Sequence, residues 1–142
     1  MNRDERGSIT PLIIGFALVV ALLVAVAVDA SAAYLRRQSL DSIADAAALA
    51  ATDGLQGDAV YQHGLGNEAP IDPAAARAYV AAYFTGSGAA GRYPGLSYSV
   101  QTVGNHVVVH VAAPMALPLH VPGAGDHTVV RGTAASTVVV SD

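Results

Sequence analysis

The stretch that decides the fold is ITPLIIGFALVVALLVAVAV, residues 9–28, which continues directly into DASAAYLRRQSLDSIADAAALAATD, residues 29–53. The first part holds no charged residue, and in a helix its length is ~30 Å, the thickness of the hydrocarbon core of a bilayer. Pro11 fits the first turn of such a helix, where the missing N–H costs nothing. We therefore predict a short tail over residues 1–8 and a transmembrane helix over 9–28.

The helical rhythm continues beyond the apolar run. Apolar residues recur at steps of three and four, which places them on one face of a helix: Leu40, Ile43, Ala44, Ala47, Ala50 and Ala51. Asp41, Asp45 and Thr52 lie on another face, and the two aspartates are predicted to be a solvated stripe. Gly54 is a helix-ending residue. The pattern predicts a helix extension over residues 29–53, continuous with the membrane span and packed on a domain.

The arginine pair Arg36–Arg37 allows two interpretations of the apolar run. In a retained anchor these arginines mark the membrane rim, with their stems in apolar surroundings and their charges in water. In a secretory signal, signal peptidase cuts after Ala32, at the A-x-A pattern Ala30–Ser31–Ala32. The apolar run is longer than the usual signal core of ~7–15 residues, which favours the anchor.

Composition excludes several classes of function. The chain has no Cys, so disulfides, thiol nucleophiles and Cys-ligated zinc are excluded. It has no Lys, so the glycine-rich segments lack the lysine of a phosphate-binding loop. After Arg37 three arginines stand against eight acidic residues, a balance of −5, which argues against nucleic-acid binding.

The C-terminal part, residues 54–142, is predicted to be a small α+β domain. A glycine-rich loop leads to Asp72–Pro73, a cap and first turn that start a short second helix, which glycines end at Gly86. Residues 96–103 alternate apolar and polar, Gly104–Asn105 is a hairpin signal, and 106–111 form the returning strand. Prolines punctuate an irregular stretch, and 128–140 form one bent strand or two short ones. The result is an α+β layer of three or four antiparallel strands packed on helix.

The residues do not combine into a catalytic or metal site. His106 and His110 share one strand face but lie ~13 Å apart, too far to ligate one ion. His63, His120 and His127 are predicted in loops, where a shared metal site stays a remote alternative. A Ser/His/Asp hydrolase lacks the G-x-S-x-G context. We therefore predict no enzyme, no cofactor and no metal.

The N-terminal third resembles the TadE/TadG-like family of tight-adherence (Flp) pilus assembly proteins. The pattern runs from Arg-Gly before the span, through Val-Asp at its end and Tyr-Leu with basic residues, to an alanine-rich block. The matching positions are Arg6–Gly7, Val28–Asp29, Tyr34–Leu35, Arg36–Arg37 and Ala44–Ala50. The resemblance covers about residues 6–52. Prepilin-type processing after a Gly requires a Glu five residues on, and that position from Gly7 is Leu12.

The resemblance implies a pilin-like fold and a single-pass protein of the cytoplasmic membrane. We predict the short N-terminus inside and the C-terminal domain outside, because the long C-terminal part then forms a single exported domain. Its role is that of a minor pilin-like or scaffold component of a pilus or secretion assembly. The implied partners are the lipid bilayer and other assembly subunits, with no nucleic acid and no small-molecule substrate. The alternative is a small secreted binding domain released after Ala32.

Nine residues are the candidate interface. Asp29 lies at the membrane edge, where it either caps the interface or pairs with a basic residue of a partner subunit. The small residues Ala44, Ala47, Ala48 and Ala51 allow close approach either of the chain's own strands or of a partner helix. The others, at the rim and on the helix extension, are Tyr34, Arg36, Arg37 and Asp45.

Overall fold

The computed structural model describes residues 9–63, 71–116 and 127–138. Several predicted features lie outside the described residues: the tail of residues 1–8 with its Arg6–Gly7 pair, the loop glycines Gly64 and Gly66, and His120. So do the last residues of the predicted final strand, 139–140.

The fold is α+β, as predicted. Helix α1 spans Ile9–His63, α2 spans Pro73–Gly86, and a single turn α3 spans Ala89–Arg92. Strands β1 (Ser97–Val103), β2 (His106–Ala116) and β3 (His127–Thr137) form an antiparallel sheet in the order β1-β2-β3. Helices α1 and α2 cover one face of this sheet. No element of the described residues covers the other face, which we call the open face.

The local signals for α2 and the hairpin are confirmed. Asp72 is the N-cap of α2, and its carboxylate accepts a hydrogen bond from the Ala74 N–H at 2.8 Å, with Pro73 in the first turn. Gly104 has φ 58°, which supplies the left-handed first residue that a two-residue hairpin needs. Beyond the hairpin, Asn105 and Val138 bond to each other, so the end of β3 is held at the turn.

The core is built from small and branched side chains. Val107, Val109, Val111 and Ala113 alternate inward along β2 and are almost completely buried, as the period-2 pattern predicts. They pack against α1 and against one stripe of α2, whose buried residues are Ala76, Val80 and Phe84. The ring of Phe84 stacks on Tyr98 of β1 at 4.3 Å between centroids, which joins α2 to the sheet.

Two predicted boundaries are wrong, and one short turn was not predicted. Helix α1 does not end at Gly54 but continues to His63, because α2 packs against this part of the helix. Strand β2 does not end at Val111 but runs through Pro114 to Ala116. Proline is tolerated there because β1 pairs only as far as Ala112, so that Pro114 has a strand neighbour on one side. The turn α3 was not predicted, since the glycines around it indicated only a break.

Candidate membrane and subunit interface

Residues 9–28 of α1, which we call its first half, are exposed and apolar on every side of the helix; residues 29–63 are its second half. Within the described residues one helix is long and apolar enough to cross a membrane, and no part of its most apolar stretch is buried by the rest of the chain. Leu18 is 61% exposed and Leu23 is 65% exposed. A continuous apolar surface of this size marks a membrane or protein contact. Residues 9–28 thus have the length and surface of a single membrane span.

Past the span, α1 continues without a break into the predicted rim. Asp29 is partly exposed in the middle of the helix, and Tyr34 is exposed, at the level where interfacial aromatic residues are common. The Nε atom of Arg37 lies 3.9 Å from the carboxylate of Asp41, one helical turn further on. This exposed pair contributes little to stability.

Arg36 points toward the domain. Its guanidinium carbon lies 4.2 Å from the centroid of the Tyr93 ring, a cation–π contact that joins α1 to the segment following α3. The Nε of Arg36 is buried, and no hydrogen-bond partner for it exists in the described part of the chain. The two neighbouring arginines therefore have different surroundings, one packed on the domain and the other in solvent.

The second half of α1 forms one wall of the core. Its alanine face is completely buried, with 0% exposure at Ala44, Ala47, Ala48 and Ala51. These alanines lie in the same cluster as the inward valines of β2 and the partly buried Ala134 of β3. The alanine face was predicted to contact either the chain's own strands or a partner helix, and in the structure it contacts the chain's own strands. Asp45 is exposed on the opposite side of the helix.

The closest approach between helix and sheet is at Gly132. A Cβ atom at this position would lie 2.5 Å from the carbonyl carbon of Leu40 and 2.6 Å from the amide nitrogen of Asp41. The backbone of β3 thus touches the backbone of α1, which only a glycine allows. The sequence indicated a bend at Gly132; the contact with α1 depends on residues about ninety positions away and has no local signal.

Asp41 adds a hydrogen bond at this contact between α1 and β3. Its carboxylate accepts a hydrogen bond from the Thr133 N–H at 3.0 Å, which satisfies a backbone donor on the outer edge of β3. About three turns further along α1, the hydroxyl groups of Thr52 and Ser136 form a hydrogen bond of 3.0 Å. Thr52 is buried, so its predicted place on the polar face of the helix is wrong. The prediction that Asp41 belongs only to a solvated stripe is therefore wrong, because the carboxylate holds the edge strand against the helix.

At the far end of α1, Gly54 has a packing role. The ring of Tyr79 lies against its Cα, and a Cβ there would be 2.5 Å from the nearest ring carbon. The Tyr79 hydroxyl donates a hydrogen bond to Asp58 at 2.6 Å. This hydrogen bond, together with desolvation and the Asp58 charge, raises the pKa of Tyr79 above its ordinary value.

The open face of the sheet carries the two strand histidines. His106 and His110 bond through their Nδ1 atoms to Thr137 and Thr133, at 2.9 and 3.0 Å. Each pair joins residues directly opposite on β2 and β3, the arrangement that stabilises a sheet. Among the described residues no group of three or more potential ligands could hold a metal ion.

A shallow depression of about 250 Å³ lies on the same face and is lined by Ser99, His110 and Arg131 with their strand neighbours. No carboxylate of the described residues lines it. Ser99 and His110 therefore lack the acid that completes a hydrolase triad.

Comparison with known proteins gives one match. Residues 7–59 match the family model described as "Putative Flp pilus-assembly TadE/G-like". No curated protein and no solved structure matches the chain. The family match confirms the resemblance predicted from the N-terminal residues, and it covers the apolar residues 9–28 of α1, the predicted rim and the buried alanine face. A segment of this kind indicates an association with Flp pilus assembly, whose TadE/G-like components are not known as enzymes.

Proposed function

We propose that this chain, TadE/G-like over residues 7–59, is a non-enzymatic single-pass envelope protein and a minor pilin-like or scaffold component of a Flp-type pilus or secretion assembly. The observation that carries the proposal is helix α1. One half of it is an apolar surface that the chain leaves uncovered, and the other half is a wall of the folded domain. The first half of the helix therefore has a surface free to contact lipid and neighbouring helices, and the second half packs against the sheet of the domain.

The proposed organisation follows from α1. Residues 1–8 form a tail inside the cell, 9–28 cross the cytoplasmic membrane, 29–53 extend the helix, and 54–142 form the outer domain. With this topology a single domain is exported. Because the alanine face is buried against the chain's own strands, contacts with other subunits use the uncovered half of α1 and the rim.

Asp29 and its neighbour Tyr34 are the proposed rim contacts. An ionised carboxylate at the membrane edge is costly unless it reaches water or an opposite charge. We propose that Asp29 pairs with a basic residue of another subunit during assembly. Replacement by Asn keeps the size and removes the charge, so Asp29→Asn is expected to lower the membrane level or assembly of the chain. Unchanged assembly would contradict this role.

The first experiment is the mass and N-terminal sequence of the mature chain from a membrane fraction. A chain that retains residues 9–28 and needs detergent for extraction supports the anchor. A soluble chain that begins at Ala33 supports the secreted binding domain instead. A start at Ser8 shows prepilin-type processing despite Leu12 and favours incorporation into a filament.

The assembly partners are tested with a photo-crosslinking residue in the uncovered half of α1, at Leu22, and in the exposed part of its second half, at Leu49. Crosslinks from Leu22 to pilus-assembly membrane proteins support the proposal, and crosslinks to lipid alone contradict it. Sheared filaments then separate the two roles, because a minor pilin is found in them and a scaffold stays with the cells.

A further inference from the structure

The direction of β3 relative to α1 identifies the end of the domain that lies nearest the membrane. Gly132 of β3 touches Leu40, and Ser136, four residues later, bonds to Thr52. Strand and helix therefore run in the same direction. The beginning of β3 at His127 points back toward the apolar half of α1, and at ~3.3 Å per residue it reaches ~16 Å beyond Gly132.

Four of the five arginines in the described residues lie at this end. They are Arg36, Arg37, Arg92 and Arg131, which we call the arginine collar. Arg92 precedes Tyr93, whose ring holds Arg36, and Arg131 precedes Gly132, whose backbone touches α1. The fifth, Arg77, lies on α2 at the opposite end, two residues before the Tyr79 that packs on Gly54.

The acidic residues have the opposite distribution. Of the six described aspartates, Asp29 and Asp41 lie near the collar, which leaves it a charge of four arginines against two aspartates, or +2. The other four lie further from the span: Asp45, Asp53, Asp58 and Asp72. Among the described residues, the end of the domain that faces the proposed span is thus positive, although the chain after Arg37 is acidic in total.

The heights of the arginines place them about one Debye length above the lipid headgroups. Arg36 lies eight residues past Val28, ~12 Å beyond the span, and helical side chains tilt back toward the N-terminus. Arg131 lies one strand residue nearer the span than Gly132, about level with residue 38 and ~15 Å beyond the span. A headgroup layer is ~5–7 Å thick, so both arginines lie ~5–10 Å above it, which is about the Debye length of ~8 Å at physiological salt.

We propose that the arginine collar binds the phosphates of anionic phospholipids and seats the domain on the bilayer. A guanidinium group presents paired N–H donors to a phosphate, and basic residues next to a membrane are attracted to anionic lipid. Arg37 and Arg131 are exposed and supply such donors, while Arg36 fixes the adjoining segment through Tyr93. The inference rests on the proposed membrane span.

The experiment uses the full chain in lipid nanodiscs. Because the chain has no Cys, a single introduced cysteine carries the only fluorophore. Ala90→Cys places it in α3 beside the collar, and Ala78→Cys places it at the opposite end, both at exposed positions. Quenching by a headgroup spin label is measured in phosphatidylcholine with and without phosphatidylglycerol, at low and high salt.

Phosphatidylglycerol is expected to increase quenching at position 90 and not at position 78, and salt to reverse the increase. In anionic discs, Arg131→Gln lowers the ratio of docked to undocked domain about fivefold, the effect of one arginine near an anionic surface. Arg92→Gln has a similar effect, although it also removes the hydrogen bond to the Ser87 carbonyl at 3.2 Å. Arg77→Gln is the matched control and leaves the ratio unchanged.

Three results overturn the proposal: quenching independent of phosphatidylglycerol, an equal effect of Arg77→Gln, or displacement by millimolar inorganic phosphate with no lipid dependence, which indicates an anion site instead. The proposed membrane anchor fails separately. If it is wrong, the chain does not stay in the discs at all, whereas a chain that inserts but does not dock overturns the collar alone.

Discussion

The two halves of α1 have similar side chains and different surroundings. Leu18, in the first half, is 61% exposed, whereas Leu40 and Leu55, in the second, are 0% and 8% exposed. Both halves are rich in alanine and branched aliphatic residues, and the helix passes from one to the other without a break. The two halves differ in the residues on the other sides of the helix. The first half has no polar face, and the second has one, with Asp45 and Asp53 in solvent.

This comparison shows what a hydrophobic residue in a helix specifies. A helix that is apolar all round needs apolar surroundings on every side, which lipid provides. A helix with one apolar face needs a single packing partner, and here that partner is the sheet. The distribution of apolar residues around the helix axis therefore decides whether the helix faces lipid or packs on a sheet, even where the residue types are the same.

The largest expected effect comes from placing one charge in each half. Leu18→Arg puts a guanidinium at the middle of the proposed span and makes membrane insertion less favourable by about 3 kcal/mol. Leu49→Arg is the matched control, since Leu49 is similarly exposed, at 54%, but belongs to the second half. Its effect is expected to stay within about 0.5 kcal/mol. The measurement is the fraction of chain that resists alkaline extraction from membranes. Equal loss in both variants would contradict the division of α1.

The second test concerns the junction of helix and sheet. Gly132→Ala forces a methyl group into the backbone of α1 and is expected to lower the free energy of unfolding by roughly 2–3 kcal/mol. Gly91→Ala is the control, because a Cβ there meets nothing within 4 Å. Amide hydrogen exchange of the β2 valines measures the change. Equal protection in the two variants would show that the strand can move away without cost.

The third test adds the same bulk to each half. Ala47→Leu overfills the core beside the sheet and is expected to destabilise the domain by about 1–3 kcal/mol. Ala21→Leu adds the same atoms to the exposed first half and should leave the domain unchanged. The readout is again exchange of the β2 amides. A destabilisation by Ala21→Leu would mean that the domain also depends on the membrane half.

The smallest expected effect is a pH dependence at the far end of α1. The hydrogen bond to Asp58 raises the pKa of Tyr79, so the folded chain keeps a proton that the unfolded chain loses. The contribution of this bond is complete below the unfolded tyrosine pKa of about 10 and is lost as pH rises through the folded value. Absorbance of tyrosinate should show a component of the folded chain that titrates above the unfolded tyrosine pKa. Asp58→Asn should lower the pH at which this component titrates, and Tyr79→Phe should remove it.

Local signals in the sequence predicted the elements well. The apolar length of residues 9–28, the Asp72–Pro73 helix start and the Gly104–Asn105 turn each depend on neighbours within a few residues. The inward and outward faces of β2 followed from strict alternation. The TadE/G-like pattern was found for the same reason, since its positions lie close together in one helix.

What the sequence did not predict depends on contacts between distant residues. A glycine inside a helix costs only about 1 kcal/mol, which packing of Tyr79 on Gly54 and of the core around Leu55 outweighs. Asp41 looked solvated because the N–H that it binds, on Thr133, is 92 positions away. The arginine collar was missed in the same way, since Arg92 and Arg131 come to the same end of the domain as the arginine pair only when α3 and β3 pack back along the middle of α1.

The unbroken helix has a mechanical consequence. Residues 29–63 of α1 extend ~52 Å beyond residues 9–28 as one continuous helix. In the proposed topology, the part of α1 outside the membrane is therefore longer than the part within it. Transmembrane helices commonly tilt by ~20°, and such a tilt moves the far end of α1 sideways by ~18 Å. A change in bilayer thickness or in a neighbouring helix that alters the tilt by a few degrees is thereby converted into a displacement of several ångströms at the outer end of the domain.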